Sequence, residues 1–310
     1  MKLLHPHAIF ALALLSLTKL GGQEVHLRIL EDRAVFTEGQ DTVMAYQIRP
    51  KSMAGKWERA GYIHPLYSLD GAVLTEDFPE DHPHHRGVFW AWHQVFIGDT
   101  RIGDGWEIRD FSWEVEVAEA IPAPAGAASL QATVYWKSPV WTGPSGQEEP
   151  FVKETTQITV YPAEASTRRI EVRIQLQALE PAMRLGGSDD EKGYGGFSAR
   201  LPLPEDLQFN GPMGAVLPEN TPVASPGWVD ITGSFGPGET RSGVVIAEDP
   251  GNPGYPNPWI LRQTGSMQNA VYPHPGAVPV ALPTDQPLVL RYLMLIHREH
   301  ADIITPLIGW

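Results

Sequence analysis

Residues 170–178 read Ile170-Glu171-Val172-Arg173-Ile174-Gln175-Leu176-Gln177-Ala178, and their apolar and polar side chains alternate strictly. Successive side chains of a β-strand point to opposite faces, so this order gives a strand one dry face and one wet face. Residues 111–117 and 130–136 repeat the alternation. No window of about eleven residues shows helical periodicity with a cap at each end. The sequence therefore predicts an all-β protein.

The remaining apolar runs indicate how the strands are arranged. Residues 288–297 are apolar on both faces, which predicts a central strand covered by a layer on each side. The 30 glycines and 29 prolines lie mostly between short apolar runs, as in turn-rich β proteins. We expect a large antiparallel β-sandwich that forms a single domain over residues 23–310. Further strands are predicted at residues 25–30, 42–48, 151–161, 243–248 and 259–264.

Two segments are predicted as loops. Residues 51–61 are polar and lack apolar alternation. Residues 202–226 are rich in proline and glycine, and could be a linker or long loops within one domain. Strands without an obvious partner lie on both sides of this second segment, which favours loops within one domain.

The chain begins with the features of a secretory signal peptide. Lys2 precedes the apolar residues 8–15, and small residues suitable for cleavage lie within 18–22. We therefore expect residues 1–22 to be removed and the protein to be periplasmic or secreted. A helix needs about 20 apolar residues to cross a bilayer, and no later segment approaches that length. No membrane span is expected after cleavage.

Charge and cysteine content exclude several kinds of function. The chain has 23 basic and 37 acidic residues, and its formal net charge of −14 repels nucleic acids and anionic membranes. Cysteine is absent, which excludes disulfides, thiolate metal ligands and cysteine nucleophiles. A nucleic-acid partner is therefore not expected.

Histidines cluster in residues 81–87, Asp81-His82-Pro83-His84-His85-Arg86-Gly87, which we call the histidine segment. Histidine titrates nearest to neutral pH and is the commonest metal ligand, so this segment is the first candidate for chemistry. In one interpretation His82 and His84, on one face of an extended segment, bind a divalent metal such as zinc or copper. A third ligand would then come from His64, His93, Glu107 or Glu154.

Two other interpretations of the histidine segment need no metal or other cofactor. In the first, His82, His84 and His85 transfer protons or bind the substrate. Arg86 would then bind a carboxylate or hydroxyl groups. In the second, the histidines are hydrogen-bonded within a rigid loop and have a structural role. The positive charge of Arg86 would repel a neighbouring metal ion, which argues against the metal site.

Glu154 and a glycine-rich segment supply further candidates. Glu154 falls on the apolar face of the predicted strand 151–161, where burial would raise the pKa of its carboxyl group. It is therefore a candidate general base or acid, although a strand end at the rim of a sheet would also explain it. Residues 186–197, the glycine-rich segment, predict either a tight turn with a bulge or a polar pocket. The pocket would have Lys192, Tyr194 and Arg200 at its mouth.

Three stretches resemble a known family. They are Tyr62-Ile63-His64-Pro65-Leu66-Tyr67, residues 76–87 with the histidine segment, and Lys192-Gly193-Tyr194-Gly195-Gly196-Phe197. Together they resemble a bacterial family of unknown function whose members are often labelled methane oxygenase PmoA. The resemblance covers nearly the whole chain after residue 22. It implies a fold similar to the galactose-mutarotase-type β-sandwich, in exported proteins of carbohydrate-degrading bacteria.

These observations predict an exported carbohydrate-active protein, with an enzyme favoured. Its partner would be a small molecule or an oligosaccharide, and its chemistry mutarotation, epimerisation, elimination or hydrolysis. A metal-dependent oxygenase or hydrolase and a non-catalytic carbohydrate-binding protein are the alternatives. The predicted catalytic residues are His82, His84, His85 and Glu154. The predicted substrate-binding residues are His64, Arg86, His93, Lys192, Tyr194 and Arg200.

Overall fold

The computed structural model describes residues 23–236 and 241–298. Within these ranges every regular element is a β-strand, and no helix has the length and apolarity that a bilayer crossing requires. The predicted signal peptide, residues 1–22, lies outside the described residues.

The strands are joined by turns and by longer loops, such as residues 67–87 and 138–151. In chain order they are β1 (Val25–Ile29), β2 (Arg33–Glu38), β3 (Asp41–Gln47), β4 (Lys51–Met53), β5 (Lys56–Arg59), β6 (Tyr62–Leu66), β7 (Val88–Trp92), β8 (Gln94–Ile97), β9 (Thr100–Gly103), β10 (Ser112–Ile121), β11 (Ala128–Lys137), β12 (Val152–Val160), β13 (Thr167–Ala178), β14 (Met183–Gly186), β15 (Gly195–Ala199), β16 (Gln208–Gly211), β17 (Gly214–Ala215), β18 (Trp228–Gly233), β19 (Ser242–Glu248), β20 (Trp259–Ile260), β21 (Gln268–Val271), β22 (Val280–Leu282) and β23 (Leu288–Arg298).

Two large sheets carry most of these strands. The eight-stranded sheet has the order β1-β2-β3-β6-β7-β15-β21-β20, and the nine-stranded sheet has the order β10-β11-β12-β13-β23-β19-β18-β16-β17. Two smaller sheets consist of β22-β14-β8-β9 and of β4-β5, and pairing is antiparallel throughout the described strands.

The two large sheets pack face to face over one apolar core. Phe197 of β15 stacks on Tyr292 of β23 with ring centroids 4.2 Å apart, and the rings of Trp92 in β7 and Trp136 in β11 are 5.7 Å apart. All four side chains are buried and belong to one continuous apolar cluster. Aromatic rings bury more apolar area than other side chains, so these contacts join the sheets strongly. The prediction of an all-β antiparallel sandwich is confirmed.

The strands with the clearest sequence patterns lie in the middle of the nine-stranded sheet. β13 buries alternate residues, among them Ile170 and Val172, in the core between the sheets. β23 pairs with β13 on one side and with β19 on the other, so its predicted central position is confirmed. Its apolar residues are buried on both faces, with Met294 in the main core and Leu295 in a small cluster on the outer face.

Two segments predicted as loops contain strands, and this part of the prediction is wrong. Residues 51–61 form the hairpin β4-β5, which turns at Ala54 and Gly55 with φ angles of 51° and 75°. Its strands are mostly exposed, so no buried face imposes an apolar alternation on the sequence. Within residues 202–226, β16 and β17 extend the nine-stranded sheet at its edge.

The antiparallel neighbours β7 and β15 bring the histidine segment and the glycine-rich segment to the same face. The histidine segment ends directly before β7, and the glycine-rich segment leads into β15. Because Trp92 pairs with Gly195, His93 lies at the end of the strand pair where the glycine-rich segment enters. Alternate side chains of β7 point away from the main core into a small outer cluster of Tyr62, Phe89, Ala91, Trp106 and Met267.

We expect Gly87→Ala to destabilise the protein far more than Gly98→Ala. Both glycines have left-handed φ angles, +54° and +57°, so both substitutions carry the strain of a side chain in that region, about 1–2 kcal/mol. A Cβ on Gly87 would also lie 2.1 Å from the carbonyl oxygen of Ile63, whereas a Cβ on Gly98 meets nothing within 4 Å. Urea unfolding should show a loss of about 3 kcal/mol or more for Gly87→Ala. Equal losses in the two variants would contradict the close approach of β6 to Gly87.

Candidate functional site

A polar cavity of about 370 Å³ lies over the outer cluster, on the face of the eight-stranded sheet that is turned away from the sandwich core. Its volume is within the range of small-molecule sites. Two other cavities, of about 400 and 640 Å³, have no histidine in their linings. The polar cavity is lined by His82, His84, His85, His93, Trp106, Glu107, Ser188, Asp190, Lys192, Tyr194, Asn220, Arg262, Gly265 and Ser266.

The three imidazoles of the histidine segment pack against one another at this cavity. The His85 ring stacks on the His82 ring with centroids 4.7 Å apart, and the His84 ring meets His85 edge-on at 4.5 Å. His85 is 2% exposed and also contacts Phe89 and Trp106 of the outer cluster. It therefore supports the other two rings from below, while the side chain of His82, 39% exposed, reaches solvent.

Burial lowers the pKa of two of these imidazoles. Burial, with the neighbouring imidazoles of His84 and His82, lowers the pKa of His85 to about 2. Burial also lowers the pKa of His84, although the carboxylate of Glu107, 3.8 Å from His84 Nε2, opposes the shift. At neutral pH both rings are uncharged, and an uncharged imidazole has one nitrogen that donates and one that accepts. These rings therefore offer the cavity hydrogen-bonding groups without positive charge.

His93 has a carboxylate partner of its own. Its Nδ1 lies 3.1 Å from Oδ2 of Asp104, while Oδ1 of Asp104 accepts from the backbone N–H groups of Trp106 and Glu107. Burial alone would raise the pKa of Asp104, but the hydrogen bond and charge of His93 and the Glu107 N–H lower it. An ionised carboxylate at Nδ1 fixes the ring and leaves Nε2 to exchange a proton with a ligand.

The glycine-rich segment is a tight turn that also lines the cavity. A Cβ on Gly187 would lie 2.2 Å from the carbonyl oxygen of Gly193, so the two backbone stretches approach closely only because side chains are absent. Asp190 closes the turn, since its Oδ1 accepts from one hydroxyl group and two backbone N–H groups. The turn places four residues in the cavity wall, Ser188, Asp190, Lys192 and Tyr194.

Arg262, which follows β20, completes the wall beside Tyr194. Its Nε donates to the Tyr194 hydroxyl at 3.1 Å, and its guanidinium carbon lies 5.6 Å from the centre of the tyrosine ring. Its other hydrogen bonds go to the main-chain carbonyl oxygens of Glu219, Asn220 and Leu261. In the part of the chain that the structure describes, no carboxylate forms an ion pair with Arg262.

The structure brings together six of the ten residues predicted for the site. These six line the cavity: His82, His84, His85, His93, Lys192 and Tyr194. Their roles in catalysis or binding stay predictions. The other four are not part of the lining: His64, Arg86, Glu154 and Arg200.

The two arginines predicted to bind the substrate bind the protein's own loops. Arg86 is fully buried, and its guanidinium donates to Asp77, to a tyrosine hydroxyl and to two main-chain carbonyl oxygens. Arg200 is 5% exposed and donates to both carboxylate oxygens of Asp81 and to the main-chain oxygen of Ser266. Because carboxylates already compensate their charges, these arginines anchor the histidine segment from behind the cavity wall.

Glu154 and His64 also lie away from the cavity. Glu154 is 1% exposed and accepts from the indole N–H of Trp136 and the hydroxyl of Thr156, at 2.8 and 2.7 Å. Burial raises its pKa, although these hydrogen bonds and the charge of Arg59 oppose the shift. β12 belongs to the nine-stranded sheet and turns Glu154 into the main core, so this carboxyl group cannot reach the outer cavity. His64 is held by a hydroxyl group 3.0 Å from its Nδ1.

The zinc or copper alternative needs a third ligand beside His82 and His84. Among residues 23–236 and 241–298, no group of three histidine, aspartate or glutamate side chains is arranged to hold a metal ion. The Nδ1 atom of His82 is 3.0 Å from a carboxylate oxygen of Asp81, and Asp81 is itself bound by Arg200. The nearest carboxylate in the sequence therefore serves as an anchor of the segment.

Sequence reasoning missed several residues of this region, among them Asp104, Asn220, Arg262 and Ser266. Asp104 follows His93 by a short hairpin and precedes a glycine, which is a turn signal that could have placed a carboxylate near the histidines. Asn220, Arg262 and Ser266 come from loops that carry no recognisable motif. Only the three-dimensional arrangement brings these loops to the cavity.

An antiparallel β-sandwich with a histidine-lined cavity on the outside of one sheet is the class of protein that the fold and the site define. The chain belongs to the family of unknown function DUF6807, whose model matches residues 33–304. The matched range includes every residue that lines the cavity. No curated protein matches the chain. The family match agrees with the predicted resemblance to a family of unknown function.

We expect the free energy of unfolding to fall as the pH is lowered from 6.5. The pKa of His85 is about 2 in the folded state and 6.5 in an unfolded chain, so the unfolded state binds more protons between these values. The contribution of this group is complete above pH 6.5 and is lost towards pH 2, and it changes by about 2 kcal/mol between pH 6.5 and 5. Urea unfolding at both pH values should show that His85→Gln loses about 2 kcal/mol less than the wild type.

The exposed His26 of β1 provides the matched control for this experiment. His26→Gln should keep the pH dependence of the wild type, because water surrounds that side chain in both states. An unchanged pH dependence in His85→Gln would contradict a buried, neutral imidazole at position 85.

Proposed function

We propose that this protein is an exported carbohydrate-active enzyme in which the cavity histidines transfer protons to and from a sugar. The observation that carries the proposal is a pair of histidine–carboxylate contacts at one cavity. His93 Nδ1 lies 3.1 Å from Asp104, and His84 Nε2 lies 3.8 Å from Glu107. The His93–Asp104 contact is within hydrogen-bond distance, and a histidine oriented in this way is a common device of general acid–base catalysis.

The two contacts suggest a division of roles. His93, with Nδ1 bound to the ionised Asp104, accepts a proton at Nε2 from a hydroxyl or C–H group of the sugar. The imidazolium that His93 then becomes returns the proton to the other reacting atom, and the uncharged His84 donates or accepts a hydrogen bond beside it. An acid and a base at one site serve mutarotation, epimerisation, elimination and hydrolysis alike, so the proposal names acid–base chemistry on a sugar.

The wall of the cavity suits a molecule with many hydroxyl groups. Lys192, Tyr194, Asn220 and Ser266 supply donors and acceptors around it. Trp106 is 2% exposed and is covered by the rings of His93 and Tyr194, so it forms the floor and offers no free face to a sugar ring. Tyr194 is only partly buried, so it is the aromatic side chain proposed to contact a sugar ring.

The resemblances to galactose-mutarotase-type proteins and to proteins labelled methane oxygenase PmoA bear on this proposal. A β-sandwich with acid–base residues on one open face supports the likeness to galactose-mutarotase-type proteins. The label methane oxygenase PmoA would require a metal-ligand set, for which the described residues supply the histidine pair without a third ligand. The signal-like residues 1–22 support export.

We expect His93→Gln to abolish turnover and to keep sugar binding. A thermal-shift screen with monosaccharides and oligosaccharides would identify a ligand, and NMR of its anomeric and product signals would measure turnover. Loss of a positioned general base lowers the rate by about 10²–10⁴-fold. The variant should still be stabilised by the ligand, because the rest of the cavity is intact. His26→Gln, outside the cavity, should react at the wild-type rate.

Three outcomes would overturn the proposal in different ways. Stabilisation by a sugar without turnover in the wild type indicates a carbohydrate-binding protein. Activity that is lost with a chelator and restored by zinc or copper indicates the metal-dependent alternative. A screen in which no sugar raises the melting temperature would contradict the proposal that the ligand is a carbohydrate.

A further inference from the structure

We infer that the sugar carries a carboxylate, as a uronic acid does, and that Arg262 and Lys192 bind this group. The inference rests on the proposed function and adds the class of substrate to it. It depends on where the charges around the cavity are compensated and where they are not.

Arg262 is a positive charge in the wall without a negative partner. A guanidinium has five N–H donors, and four hydrogen bonds hold it to the Tyr194 hydroxyl and to three main-chain carbonyl oxygens. These acceptors orient the group but carry no charge. One N–H and the whole positive charge are therefore left for a ligand. A partly buried arginine in this state favours an anion, because its free N–H can donate a charge-assisted hydrogen bond to a carboxylate oxygen.

The carboxylates around the cavity are engaged elsewhere. Asp81 is bound through both oxygens by Arg200 and does not line the cavity. Asp104 is bound by His93, by Arg101 and by two backbone N–H groups. Neither of these carboxylates can neutralise Arg262 without losing its own partners.

Two carboxylates do line the cavity, Asp190 and Glu107. Burial alone would raise the pKa of Asp190. Its hydrogen bonds from Ser188 and the backbone of the turn, together with the charge of Lys192, outweigh burial and lower this pKa. Glu107 lies beside His84. The lining thus has two cations against two carboxylates, in a chain whose net charge is −14. Against this acidic background, an arginine without a carboxylate partner is a local basic feature that suits an anionic sugar.

Binding measurements with matched acidic and neutral sugars test this inference. We expect galacturonate or glucuronate to bind at least about tenfold more tightly than galactose or glucose at low salt, and the preference to shrink as salt is added. Arg262→Gln and Lys192→Gln should each reduce the affinity for the uronate towards that of the neutral sugar. Lys153→Gln, on the exposed face of β12, is the control and should change neither affinity.

The outcomes separate this inference from the proposed function. Equal affinity for acidic and neutral sugars overturns the inference and leaves the carbohydrate function standing. A uronate preference that survives in both Arg262→Gln and Lys192→Gln also overturns it, because the carboxylate is then bound elsewhere. Because Arg262 also holds the loop at residues 219–220, the Lys192 variant keeps the test independent of that loop. If neither kind of sugar binds, the inference and the proposed function both fail.

Discussion

The buried guanidinium of Arg200 is the constraint on which the site depends. It binds both oxygens of Asp81 at one end of the histidine segment and the main-chain oxygen of Ser266 on another part of the cavity wall. Its backbone also pairs with Gly87, at the other end of the segment. Burial would raise the pKa of Asp81, but the hydrogen bonds of Arg200 and His82 lower it to about 2. The ion pair with Asp81 and the backbone hydrogen bond to Gly87 therefore fix the two ends of the segment against the sheet.

A segment held in this way cannot spread its imidazoles apart. His85 is pressed between the other two rings and the outer cluster, and its low pKa follows from the loss of water around it. His84 and His85 then contribute neutral donors and acceptors, and Arg262 and Lys192 bring positive charge to the lining. Under the proposed function, this separation would let one cavity combine acid–base groups with an anion-binding wall.

The sequence allowed the fold to be predicted because alternation records which residues share a buried face. From the sequence, β13 and the central position of β23 could be predicted. The histidine and glycine-rich segments could also be identified as candidate site segments. Alternation does not record which sheet covers a face, so it placed Glu154 on an apolar face but could not show that this face belongs to the main core and not to the cavity. The exposed hairpin β4-β5 left no apolar pattern to recognise.

The sequence also does not show which groups the charged residues bind. A sequence shows that Arg86 lies next to histidines, but only the structure shows that its donors are taken by Asp77 and by backbone carbonyls. Arg262 lay in no motif, yet it is the arginine of the cavity that lacks a carboxylate. The distinction between an anchor and a binding group is set by long-range contacts, which local patterns do not contain.

The most direct test of the central claim is a crystal structure of the protein soaked with a uronic acid oligosaccharide. The claim is that the histidine-lined cavity on the outer face of the eight-stranded sheet is the ligand site. We predict a sugar in this cavity, with ring atoms near His84 and His93 and its carboxylate at Arg262. A sugar bound in another cavity, such as the one lined by Arg168 and Arg298, with the histidine cavity empty, would contradict the account.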